Sequence, residues 1–136
     1  MLKKYLIPAY HSSQVSIAIL VLRLGLAFLM IPHGFDKLQE FLAGNHDFPD
    51  PLHVSPIISH GLTIFAELFC SILLLLGLFT RPALIILIGC TTIIAFSIHG
   101  QDPLSDKEHA LLYLFAYIAI FLTGAGRYSV DARLFR

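Results

Sequence analysis

One guanidinium constrains this chain more than any other group. Arg23 lies inside the run 15–31, in which only Ser16, Arg23 and Gly25 are not hydrophobic. A charge at the centre of such a segment costs about 3 kcal/mol on membrane-insertion scales. Something must face it, and asking what does organises the rest of the reading.

The surroundings make the segment a membrane span. The chain has 136 residues, 57% of them hydrophobic and 13% charged, where a soluble domain carries roughly 25% charged residues. Mean hydropathy is +0.79. The formal net charge is zero, so no bulk field points to nucleic acid. Lys3 and Lys4 precede the first apolar run, but no small-residue cleavage site follows it, and the run reads as a retained span rather than a secretory signal. Cys70 and Cys90 each sit in apolar runs without a second nearby cysteine; they read as inert buried thiols, not a redox pair or a zinc site.

The pattern predicts an all-α membrane protein: a single domain, 1–136, folded as a four-transmembrane-helix antiparallel bundle. The spans fall at about 15–33, 57–79, 82–99 and 108–123, close to the roughly 20 residues needed to cross the hydrocarbon core. Pro32 weakens the end of span one and Gly34 suits a helix C-cap. Phe35, Leu38, Phe41 and Leu42 then recur at helical spacing among polar residues, which predicts a short interfacial helix after span one. Residues 44–56, with three prolines, read as loop. Lys3, Lys4, Arg81, Arg127, Arg133 and Arg136 fall on one side of these spans, and only Lys37 and Lys107 on the other. Both termini are therefore expected in the cytoplasm, with acidic loops facing out.

Helix rise then suggests a partner for Arg23. Arg23 precedes the outer end of span one at His33 by roughly 15 Å, and Glu67 follows the outer start of span two by the same distance. Glu67 is the acid inside the spans. The sequence thus predicts a buried Arg23–Glu67 ion pair. Such a pair either fixes helix register or lines a polar cavity open to the outer side. His60 shares a helix face with Glu67, and Lys37 lies within about 40° of Arg23 at 100° per residue. His33, Lys37, His60, His99, Lys107, Glu108 and His109 all fall at outer span ends. The candidate ligand pocket is therefore Arg23, Glu67, His33, Lys37, His60, His99 and Glu108. The histidines with Glu108 could bind zinc or copper, but no local ligand spacing supports it, and no metal site is assigned. Gly77 and Gly89 read as helix-packing positions.

These motifs together resemble the DoxX family of small four-helix membrane proteins. The matching pieces are Arg23-Leu-Gly, His33-Gly-Phe-Asp-Lys37, Glu67, and Leu73-Leu-Leu-Leu-Gly-Leu-Phe-Thr-Arg81-Pro82. His99, Glu108-His-Ala-Leu-Leu-Tyr113 and Gly124-Ala-Gly-Arg127-Tyr-Ser-Val-Asp131 complete them, with Ala125 where the family usually has proline. The resemblance implies a multi-pass protein of a bacterial or archaeal plasma membrane (the inner membrane where there are two). It also implies association with redox complexes, since relatives accompany quinol oxidase and thiosulfate:quinone oxidoreductase, and many members are labelled oxidoreductases on family grounds alone.

Whether this chain is itself an enzyme the residues leave open. They carry no flavin, nicotinamide or haem motif and no redox dithiol, so no cofactor is identified. Electron transfer would need a diffusible quinone, bound as substrate, or a partner's cofactor. The expectation is a redox-associated subunit binding a quinone-like or other small amphiphilic ligand between its helices. Besides the lipid bilayer, its partners would be a membrane or soluble redox subunit or a second copy of itself, with no nucleic acid. A non-catalytic scaffold for a partner protein and a small solute or proton transporter stand as alternatives.

Overall fold

The computed structural model describes residues 12–135; most of the lysine-bearing leader lies outside them. Four long helices, α1 (Ser13–Leu42), α2 (Pro56–Leu76), α3 (Thr80–Ile98) and α4 (Leu104–Thr123), are followed by a short α5 (Val130–Leu134). Each long helix packs on the one before it, and α4 returns to α1, giving a closed antiparallel bundle. Met30, Leu74, Leu84, Leu87, Tyr117 and Ile120 fill its centre. Large apolar side chains also cover the outside: Phe28 is 66% exposed and Phe115 63%. Helices that are apolar on every face belong in lipid. Three of them, α1 to α3, are long and apolar enough to cross a membrane. α4 has the length, but it opens with Asp106, Lys107 and Glu108.

The expected break after span one does not occur. α1 continues through Pro32 for 30 residues, or about 45 Å, and absorbs the segment read as a separate interfacial helix. Pro32 faces outward, exposed, where its missing N–H and its ring disturb only the turn behind it. Gly34 is a close-approach residue rather than a cap. A Cβ on it would lie 2.5 Å from the Leu68 amide nitrogen and 2.8 Å from the Glu67 carbonyl carbon. α1 and α2 are thus locked in register at Gly34 opposite Glu67 and Leu68.

α2 starts with Ser55, whose Oγ accepts from the Ile58 N–H at 3.3 Å, and with Pro56 at a position that needs no N–H. Its middle turn, Phe65–Cys70, is π-helical. α3 begins two residues before Pro82 and also ends in a π-helical turn, Ile94–Ile98. Each π turn shifts the phase of the side chains that follow.

This register decides the fate of Arg23. It lies eleven residues before Gly34, so it is roughly 16 Å along the axis from Glu67, and the predicted Arg23–Glu67 pair does not form. Arg23 is 1% exposed and reaches the end of α2 instead. Its Nε donates to the Leu74 carbonyl at 3.0 Å and its Nη2 to the Leu75 carbonyl at 3.0 Å. Its Nη1 donates to the carbonyls of Ala125 (3.1 Å) and Tyr128 (2.8 Å). The last carbonyls of a helix lack intrahelical partners and carry its negative dipole end, so the guanidinium both satisfies them and is satisfied.

The segment after α4, whose arginines enter the sequence only as a count of charges on one side of the spans, is folded back into the bundle. Asp131, 1% exposed, accepts from the Phe79 and Thr80 N–H groups at 2.8 and 2.9 Å. It caps α3 from a distant part of the chain, and its own N–H donates to the Gly77 carbonyl at 2.9 Å. Gly77 has φ 68°, and a Cβ there would stand 2.5 Å from both Arg23 Nη2 and Ser129 Cβ.

Two measurements of detergent-solubilised protein test this junction. Asp131→Ala is expected to lower unfolding stability by about 1–2 kcal/mol, as loss of a helix cap does. Arg23→Met, which orphans several buried carbonyls, should cost more, about 3 kcal/mol. Equal melting temperatures for Arg23→Met and the parent protein would refute the role given to Arg23.

Candidate functional site

The opposite end of the bundle holds a cavity of about 380 Å³ whose largely apolar walls carry several charged and polar side chains. Its chemistry centres on Lys37 and Glu67. Lys37 lies one turn beyond Gly34 on α1, and the close approach at Gly34 brings it onto α2. Lys37 Nζ is 2.7 Å from Glu67 Oε2, with side-chain exposures of 27% and 5%. Glu67 sits on the π-helical turn of α2. The acid of span two is therefore paired, but with Lys37 rather than Arg23.

Of the seven residues singled out from sequence, His33, Lys37, Glu67 and His99 line this cavity. Three do not. Arg23 is at the other end of the bundle. Glu108 is exposed on α4 and lines no part of the cavity, because the inward face of α4 there carries Asp106, His109, Ala110 and Tyr113. His60 is buried behind the cavity. Its Nε2 donates to the Lys37 carbonyl at 3.0 Å, a carbonyl being able only to accept. Its ring stacks on Phe48 at 4.4 Å and meets Phe41 edge-on at 5.2 Å. His60 thus holds Lys37 and the 43–55 loop in place without touching the cavity.

Asp106, His109 and Tyr113, together with Thr63 and Thr91, complete the polar lining. The signal for the α4 residues was present: 106, 109 or 110, and 113 follow a helical period. It needed α4 to start at Leu104, a turn earlier than the sequence boundary. At the rim, His99 Nδ1 is 2.7 Å from Asp102 Oδ2, and Lys107 Nζ donates to the Gly100 carbonyl at 3.0 Å, bracing the 99–104 loop. Asp50 braces the other loop by accepting from Ser59 Oγ at 2.7 Å and the Val54 N–H at 3.1 Å.

The paired charges of Lys37 and Glu67 cancel, and Asp106 adds one further carboxylate to the lining. Among the described residues, no three His, Cys, Asp or Glu side chains come together as a metal site. Cys70 and Cys90 are both free thiols. The apolar groove that Cys90 lines adjoins this cavity.

The fold and its apolar exterior define a multi-pass helical membrane protein. The chain belongs to the DoxX family, whose model matches residues 18–100. That span takes in Arg23, Lys37, Glu67 and His99 and stops before α4. A protein of Haemophilus influenzae described as "Uncharacterized protein" is 35% identical over 126 residues, covering 85% of this chain and 89% of its own. No solved structure matches.

A double-mutant cycle measures the Lys37–Glu67 interaction. Lys37→Met alone, which leaves a buried carboxylate unpaired, is expected to destabilise by about 2–3 kcal/mol. Lys37→Met with Glu67→Met should recover most of that loss, because two apolar side chains leave no uncompensated charge. Additive single losses would show that the two groups do not act as a pair.

Proposed function

We propose that this DoxX-family protein binds a small amphiphile with a compact, uncharged polar head, of the quinone type, in the cavity at Lys37 and Glu67. The observation that carries this reading is a half-buried, charge-balanced ion pair opening into a cavity that His33, His99, His109 and Tyr113 also line. A structural pair needs no such space around it. The cavity falls in the size range of small-ligand sites, and a π-helical turn carries Glu67 to it, an arrangement frequent at functional sites. Lys37 and Tyr113 donate to a carbonyl of the head, and Glu67 accepts from a hydroxyl. The electron-transfer partner implied by the family resemblance would lie on another subunit.

The membrane arrangement that goes with this reading has four spans. α4 crosses with its charged first turn at the cavity end, and both termini lie on the cytoplasmic side. Single-cysteine labelling of intact cells, in a background lacking Cys70 and Cys90, is expected to modify residue 101 and to leave residue 134 protected until the membrane is opened. Labelling of both from outside would refute this topology.

Ligand binding is read by thermal unfolding, since a ligand held only by the folded state raises its melting temperature. Decylubiquinone or a short-chain menaquinone is expected to stabilise the parent protein. The same compounds should leave the folded Lys37→Met, Glu67→Met double variant unshifted. No shift of the parent with either quinone class would sink the reading.

A further inference from the structure

A second cavity, about 360 Å³, lies between α2 and α3 beside the polar one. Leu62, Phe65 and Ala66 form one wall, and Ile86, Gly89 and Ile93 the other. No charged side chain lines it. The two cavities share walls: Phe48, Pro49, Thr63, Ile94 and Ile98 border both. Phe48 is held in place by its stack on His60.

The geometry points to the apolar cavity as the seat of the hydrocarbon tail of the molecule whose head lies at Lys37 and Glu67. This inference rests on the functional reading above and adds a specificity to it: the site selects ligands with a tail. Three observations argue for this occupant. The shared walls set the two cavities edge to edge, so one molecule can occupy both. The division of chemistry matches an amphiphile, with the ion pair and histidines on one side of the shared wall and aliphatic and aromatic side chains on the other. Finally, α2 and α3 both present apolar outer faces, so a tail leaving between them continues into lipid. The two π-helical turns flank this passage, with Phe65 and Ala66 from one and Ile94 and Ile98 from the other.

Gly89 supplies the test. It lines the apolar cavity, and no atom lies within 4 Å of where its Cβ would be. A Cβ there meets no neighbour, a longer side chain extends into the groove, and replacing a mid-helix glycine favours the helix. Gly89→Leu should therefore fold at least as well as the parent. Binding of duroquinone, a quinone ring without a tail, is compared with that of decylubiquinone by ligand titration of detergent-purified protein. The parent should favour decylubiquinone by at least about tenfold, given the apolar surface a tail buries. Gly89→Leu should lose most of that preference while its duroquinone affinity stays unchanged.

Equal affinity of the parent for the two quinones overturns the tail site and leaves the head site standing. So does a Gly89→Leu variant that keeps the full preference or weakens both ligands alike. Failure of the parent to bind either quinone overturns the functional reading itself, and the tail site with it.

Discussion

The structure depends on how a buried guanidinium is satisfied without a carboxylate in direct contact. Arg23 donates to four main-chain carbonyls, two at the end of α2 and two from the segment after α4. Asp131 is the acid that acts on it electrostatically, and that carboxylate is itself engaged in capping α3. Helix end, guanidinium, cap and tail thus form one unit at the α2–α3 turn. Each member answers a polar group that the apolar surroundings would otherwise leave unpaired. Arginine suits the position because its planar fork serves several acceptors at once and stays charged.

Fixing that end of the bundle leaves the other end free for a site. With Arg23 committed to helix ends, Glu67 needs a different counter-charge, and Lys37 supplies it from the extended part of α1. Continuity of α1 beyond Pro32 is what delivers Lys37, and Gly34 is what lets the helices approach closely enough for the pair to close. His60 then secures the Lys37 turn from behind, while Phe48 joins that support to the roof of both cavities. The polar groups around Arg23 and those around Glu67 are thereby separated by about half a bilayer.

The chain illustrates how equal depth can mislead. The long apolar helices, the loop after α1, the antiparallel order and the need for a partner at each buried charge were all legible in residue pattern. The partners were not. Treating Pro32 and Gly34 as a helix end placed Arg23 and Glu67 at one level, whereas the real register puts Gly34 there. Asp131 gave no local signal at all, because it caps a helix whose first residue is 51 positions earlier. Likewise, Asp106 and His109 reach the cavity only because α4 begins at Leu104, and Glu108 turns away for the same reason.

The sequence by itself determined that this is a helical membrane protein of the DoxX type, and that Arg23 and Glu67 must each be compensated. Hydrophobicity and the cost of an unpaired charge in lipid are properties of the residues, whatever their arrangement. Only the tertiary structure decided who compensates whom. That choice turns on a few ångströms of helix register, set at Gly34 by backbone contact, and on a tail that seals a turn lying 51 positions earlier in the chain.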